Sequence, residues 1–399
     1  MRGGRNHALA LALAASALAG MASAASVDPP ASAASAGEEG AVWNSIAPFF
    51  KPPPELADSS GPYRSPLVFD DGRPVKTPAD WQARRQEILQ RWNRVMGPWP
   101  ALLERPRIET LGTARREDFT QRRVRVETAS GQTTDGYLLV PDGQGKRPAV
   151  LAVFYDAETS AGLSQEKNRE RLDFAYQLTK RGFVTLSIGS PGGSARDPQL
   201  GAARCQPLSL LACVAANCHS ALAGLPEVDA RRIGVIGHSY GGKWAMFASC
   251  LYDKFACAVW SDPGIVFDES RPNVNYWEPW YLGFEEGRNR KRTPGVPTPE
   301  NPRTGAYKQL IESGHDLHEL HALMAPRPFL VSGGSEDPPE RWRALVHTVA
   351  VNGLLGFSDR VAMTNRKDHP PTAESSAQVY AFFEHFLKPA ASPPARPVK

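Results

Sequence analysis

The sequence predicts an α/β fold: a mainly parallel sheet covered by helices on both faces. Three observations carry the prediction. Short apolar runs alternate with helical patterns from residue 148 onward, and that alternation builds parallel sheets from βαβ units. The run 148–154 (PAVLAVF) is apolar throughout, as a strand buried on both faces should be. A strand, a tight turn and a helix are then written in one stretch, 232–244 (RIGVIGHSYGGKW).

That stretch has the pattern G-x-S-x-G at Gly237, Ser239 and Gly241. Between a strand and a helix this is a nucleophile elbow. Glycine is required at both ends because a side chain there would collide across so sharp a turn. Ser239 is left exposed. The backbone N–H of Tyr240 and the start of the helix face the charge that develops in acyl transfer. A hairpin, then strand–helix alternation with the serine turn in its middle, is the order of an α/β-hydrolase.

Along the chain, Arg2 and Arg5 precede an apolar run, 8–20, which is too short to span a bilayer. Ala22-Ser23-Ala24 follows as an A-x-A cleavage site. Residues 1–24 therefore read as a signal peptide, and the mature chain is expected to be secreted or periplasmic, with no membrane segment. Residues 25–40 are rich in Ala, Ser and Pro and read as a disordered linker. One domain is expected over 41–390, with a disordered tail at 391–399. Residues 78–96 place Trp81, Ile88, Leu89 and Trp92 at helical spacing. Segments 121–127 and 133–140 form a hairpin around Ala129-Ser130-Gly131. Further strands are expected at 183–188, 256–260, 327–331 and 360–364. Helices are expected at 165–181, 208–222 and 380–387.

The net charge of the 399-residue chain is +4, with no basic patch that argues for nucleic acid. The run 288–292 (RNRKR) is local and reads as a solvated loop. Of the five cysteines, none has the paired C-x-x-C spacing of a structural zinc site. An exported chain can hold disulfides, but an odd count leaves one thiol over. The segment 315–321 (HDLHELH) is not H-E-x-x-H, and its leucines give it an ordinary helix face, so no metal is assigned. No cofactor is expected.

A serine nucleophile needs a base that an acid orients, in the chain order Ser, acid, His. His369 lies in the loop after the last strand. The acid has two candidates. Asp337 is preferred, in the Gly-rich turn Ser332–Asp337, and Glu336 beside it is a minor alternative. Asp262 competes, after the strand that follows the elbow helix. One oxyanion donor is the Tyr240 N–H, and the second is expected near Tyr155, after the first parallel strand. An insert, 263–325, breaks the alternation and carries Tyr276, Trp277, Trp280, Tyr281 and Phe284. Such rings either line a sugar-binding surface or pack the insert onto the domain.

The chain resembles secreted carbohydrate esterases of the α/β-hydrolase superfamily, above all glucuronoyl esterases. Their elbow, G-C-S-R-x-G-K, is matched at Gly237, Ser239, Gly242 and Lys243, with His238 for Cys and Tyr240 for Arg. Their downstream D-Q-H-E-L and A-L-I-A-P-R-P are similar to 316–320 and 322–328. The resemblance covers most of 62–387. It implies a polysaccharide or oligosaccharide ester as substrate and a uronoyl-binding role for Lys243; Trp277 and Trp280 are candidate sugar contacts on the aromatic content of the insert. The resemblance raises Asp262, since the family's acid often follows the strand after the elbow helix, and leaves Asp337 open, since some members place it after the next strand. Tyr240 cannot supply the charge of the family's arginine, and acetyl-xylan and pectin-type deacylases share the looser features. A prolyl-oligopeptidase-like peptidase is expected to carry a propeller-sized N-terminal domain, and none is expected from these residues. A non-catalytic sugar-binding protein is the reading from another class. Oligomeric state is not specified by the sequence.

Overall fold

The computed structural model describes residues 33–287 and 294–388. The expected signal peptide, the first part of the linker, the 288–292 run and the C-terminal tail lie outside the described residues. Nine strands form one sheet in the order β1-β2-β3-β5-β4-β6-β7-β8-β9. β1 (Ile108–Arg116), β2 (Phe119–Ala129) and β3 (Gln132–Pro141) form an antiparallel meander. β3 joins β5 (Val184–Ile188) antiparallel. From there β5, β4 (Arg147–Val153), β6 (Val228–His238), β7 (Cys257–Ser261), β8 (Phe329–Gly333) and β9 (Val361–Asn365) run parallel. The α/β-hydrolase expectation therefore holds.

The two faces of β4 show why its sequence is apolar throughout. Ala149, Leu151 and Val153 pack into one core with the helices Pro207–Ala223 and Tyr240–Leu251. Val150 and Ala152 pack into the other, with Phe174, Leu178, Phe382 and Phe383. The period of two sends alternate side chains into opposite cores. The helix Pro78–Met96 joins the first core through Trp81, Ile88, Trp92 and Met96. Thr77 and Asp80 cap it reciprocally, with Pro78 in its first turn.

Register sets the position of the site. Val153 of β4 pairs Gly237, Gly237 pairs Trp260, and Trp260 pairs Val331. Val331 in turn pairs Met363. The parallel strands thus end level, and the loops that follow them emerge along one edge, where open α/β sheets bind ligands.

Three expectations change. β1 was not expected: its central residues are exposed and lack the apolar alternation of a half-buried strand. The long helix over 165–181 is instead a 3₁₀ turn, Lys167–Arg169, and a short helix, Phe174–Thr179. Residues 33–40 of the expected linker begin a helix, Ala33–Ile46. Ile46 and Phe50 bury against the C-terminal helix Ala373–Leu387, so packing overrides the composition. All five cysteines are free and buried. No helix among the described residues is long and apolar enough to cross a membrane.

Candidate active site

β6 ends at His238, and the helix Tyr240–Leu251 starts two residues later. Ser239 turns the corner at φ 56° and ψ −114°, a strained conformation for a residue with a side chain. The flanking glycines make the turn possible. A Cβ on Gly237 would lie 2.0 Å from the Gly241 carbonyl oxygen, and one on Gly241 would lie 2.1 Å from that of Val153. The Ser239 N–H donates to the Ser261 carbonyl at 2.8 Å, which ties the turn to the end of β7. Tyr240 is the first residue of the helix, where backbone N–H groups have no intrahelical acceptor.

His369 lies in the loop after β9, and its Nδ1–H donates to Asp262 Oδ2 at 2.6 Å. Asp262 is fully buried and sits at φ 50° directly after β7. Its Oδ1 accepts backbone N–H groups from Gly334 at 2.6 Å, Asp337 at 2.9 Å and Glu336 at 3.2 Å. Oδ1 is thus held by the β8 loop, while Oδ2, which the Glu336 N–H also reaches at 3.3 Å, faces His369. A side chain at Gly334 would meet Asp262 Oδ2 at 2.6 Å.

Asp337, the acid preferred on sequence, does not meet His369. Its carboxylate accepts the N–H groups of Gly264 at 2.8 Å and Ile265 at 2.6 Å. The physical reason is that the β8 loop folds over Asp262, so Asp337 faces the root of the insert. Burial, and then the neighbouring Asp262, raise its pKa well above the carboxylate range. Glu336 is also engaged elsewhere, with Asn273 at 3.3 Å and Ser335 at 3.0 Å.

Two supports for His369 were not legible in the sequence. Arg366 donates to the His369 carbonyl, to the Pro370 carbonyl at 2.9 Å and to the Ser332 carbonyl at 2.7 Å. It pins the loop to the end of β8. The His238 ring packs 4.5 Å from the His369 ring, centroid to centroid, with its Nδ1 3.0 Å from Ser261 Oγ. Burial, and then the charge of His369, hold the His238 pKa well below the ordinary imidazole value. A neutral ring therefore backs His369.

Ser239 and His369 open on one cavity of about 210 Å³, walled by Tyr155, Arg196, Lys243, Asn273, Trp280 and Tyr281. Tyr155 stands directly after β4, stacks on Tyr240 at 4.8 Å, and its hydroxyl interacts with the Ser239 side chain. The Tyr240 ring is buried below it, and its hydroxyl accepts a hydrogen bond from Ser190 Oγ at 2.9 Å. Lys243, one turn after Ser239, is 2 % exposed. Its ammonium donates to the carbonyls of Pro263 at 2.7 Å and Asn273 at 3.2 Å, and lies 5.0 Å from the Tyr276 ring centre. Burial pulls its pKa down to about 8, against Asp337, Glu336 and Asp262, which raise it.

The insert divides between the two roles its aromatics allowed. Trp280 reaches the cavity. Trp277 does not: it is 1 % exposed and donates to the Gly295 carbonyl at 2.8 Å, so it packs the insert. The HDLHELH run is likewise structural. Glu319 pairs with Arg91 at 2.9 Å and His315 at 3.0 Å, and Asp316 caps the helix Leu317–Ala322.

The same fold is found in solved structures at low identity. A glucuronoyl esterase from Solibacter usitatus matches with a TM-score of 0.63 at 20 % identity, over 82 % of this chain and 97 % of that one. A promiscuous CE15 esterase from the marine bacterial metagenome gives 0.61 at 17 %, over 82 % and 97 %. A carbohydrate esterase family 15 glucuronoyl esterase from Caldicellulosiruptor kristjansonii gives 0.57 at 19 %, over 84 % and 94 %. The shared feature is the fold. No family model and no curated protein matches the sequence.

Proposed function

We propose that this protein is an exported serine esterase that hydrolyses a carboxylic ester on a polysaccharide, a uronoyl ester of glucuronoyl type on the ground of its Lys243-walled cavity. The observation that carries the proposal is that Ser239 and His369 line one cavity, with His369 held by the buried Asp262 at 2.6 Å. The N-terminal pattern in 1–24 supports export. The solved structures of like fold are described as esterases.

In the proposed reaction Ser239 Oγ attacks the ester carbonyl carbon, and His369 Nε2 takes the hydroxyl proton. Asp262 fixes the tautomer of His369 and stabilises the imidazolium. The Tyr240 N–H and a second donor at Tyr155 receive the oxyanion. Collapse breaks the bond to the alcohol, which leaves with the proton from His369. Water, deprotonated by His369, then attacks the acyl-enzyme and releases the acid and Ser239. Lys243 and Trp280 hold the acyl sugar. The uncharged Tyr240 and the small cavity favour an acetyl ester as the second reading.

The test compares a benzyl ester of glucuronic acid with an aryl acetate. Hydrolysis of the uronate ester that falls by about 10⁶-fold in kcat in Ser239→Ala is expected. Hydrolysis of the acetate alone moves the assignment to a deacetylase. Folded protein active on neither ester overturns the esterase assignment.

A further inference from the structure

The space at Ser239 changes charge during the proposed reaction. An ester is neutral. Attack by Ser239 puts a negative charge on the acyl oxygen, and hydrolysis leaves a carboxylate in the same place. The wall of the cavity suits the charged species. Beside His369 it carries two basic side chains, Lys243 and Arg196, and no carboxylate among the described residues. Lys243 is already held, buried with its ammonium on the carbonyls of Pro263 and Asn273. Arg196 is the opposite case. It is exposed and makes no ion pair among the described residues, and it has no part in the mechanism proposed so far.

The loop after β5 brings Arg196 to the cavity. At its root the Ser190 N–H donates to the Tyr155 carbonyl at 3.1 Å, and the Ser190 hydroxyl to that of Tyr240 at 2.9 Å. The loop is therefore tied to both residues assigned to the oxyanion. Farther on, the Gln199 N–H donates to the Pro191 carbonyl at 3.4 Å and the Asp197 N–H to Ser194 Oγ at 3.2 Å, which closes the loop around Arg196. Gly192 turns it at φ 75°, and a Cβ there would lie 2.4 Å from Gln199 Cγ, so a larger residue would displace the closing strand of the loop. The charge of Arg196 reaches the serine's neighbourhood. Burial raises the pKa of the Tyr155 hydroxyl; its hydrogen bond with Ser239, and then the charges of Arg169 and Arg196, act against that rise. Arg169 is committed elsewhere, over the Phe154 ring at 4.9 Å and to Glu166 at 3.1 Å. Tyr240 offers an N–H and a buried, uncharged ring.

We infer that Arg196 is a catalytic residue, whose guanidinium faces the negative charge on the acyl oxygen, first in the tetrahedral intermediate and then in the carboxylate product. The inference rests on the esterase reading above. A guanidinium donates to such oxygens through its planar fork. It gains little from the neutral ester, so its contribution falls on the transition state.

The experiment measures hydrolysis of the benzyl ester of glucuronic acid by the full chain. Loss of a donor from an enclosed oxyanion hole costs about 10²–10³-fold. Arg196 is open to water, which weakens its field, so Arg196→Met is expected to lower kcat about tenfold with KM little changed. Arg196→Lys is expected to recover about threefold, as a charge without the fork. Raising NaCl from about 0.05 M to about 1 M should bring wild type toward Arg196→Met by screening the exposed charge. Inhibition by glucuronate and by neutral glucuronamide separates charge from packing. Arg196→Met is expected to raise Ki for glucuronate about tenfold and to leave that for glucuronamide unchanged. Thermal unfolding confirms that the variants are folded. If only an aryl acetate is hydrolysed, the same kcat loss is read on that ester, with acetate and acetamide as the inhibitors. An unchanged kcat in Arg196→Met, or equal weakening of the anionic and neutral inhibitors, overturns the inference and leaves the esterase reading standing. Folded wild type active on neither ester overturns that reading, and the role of Arg196 with it.

Discussion

Asp262 and Asp337 are both fully buried, both follow a parallel strand at the same edge of the sheet, and both accept backbone N–H groups at under 3 Å. They differ in what the second oxygen does. Asp262 commits Oδ1 to the β8 loop and gives Oδ2 to His369. Asp337 commits both oxygens to Gly264 and Ile265. Identity, burial and location in the fold are therefore not enough to choose the acid. In the proposed mechanism the direction of one carboxylate oxygen makes the choice, and that direction is set by a loop whose three N–H groups converge on Asp262.

The largest expected effect separates the pair. Asp262→Asn should lower kcat about 10⁴-fold, the scale of loss when a triad acid becomes its amide. Asp337→Asn should lower it less than about tenfold, because the amide oxygen still accepts an N–H of the insert. Steady-state kinetics on both variants checks this, and equal losses would erase the distinction. Stability reverses the contrast. The raised pKa of Asp337 means that the folded state holds a proton which the unfolded chain has lost. Stability then falls as pH rises from the ordinary carboxylate range toward neutrality. Asp337→Asn should flatten that slope in denaturant titrations at several pH values.

The next effect tests whether Asp262 needs help to hold His369. Arg366→Met removes the clamp on the His369 and Pro370 carbonyls while keeping the length of the side chain. A misplaced base is expected to cost about 10²-fold in kcat, with KM little changed. An unchanged kcat would mean that Asp262 alone positions the ring.

The same contrast explains what the sequence could express. The elbow was legible because sterics leave no substitute for glycine at Gly237 and Gly241. His369 was legible from chain order and from its place after a strand. The acid was not, because both aspartates sit in strand-end turns and the sequence carries no record of which oxygen points where. Arg366 and His238 were missed for a related reason: one acts through carbonyls and the other through ring packing, and neither has a motif. Trp277 and Trp280 stand three residues apart in one insert, yet only Trp280 reaches the cavity. Composition gives the number of rings and not their facing. The missed β1 is an outer strand with little apolar content, where pairing and not hydrophobic pattern makes the structure.

The smallest effect concerns Lys243, a buried cation near the two aspartates. It makes no ion pair at hydrogen-bond distance with either; its ammonium is held by carbonyls of the insert. Desolvation therefore outweighs the attraction of the acids, and its pKa falls to about 8 from 10.5. The unfolded chain binds the extra proton between those values, so Lys243 makes the fold more stable as pH rises through that window. Its proposed role in binding runs the other way. A charged ammonium donates to sugar hydroxyls more strongly than a neutral amine, so KM for a uronate ester should rise above pH 8 while the fold grows firmer. Lys243→Met should raise KM about tenfold at pH 7, the value of one charge-assisted hydrogen bond, and should remove both pH trends. Kinetics and thermal unfolding from pH 7 to 10 measure the two together. A KM that stays flat across pH 8 in wild type would assign Lys243 to the insert's anchorage alone.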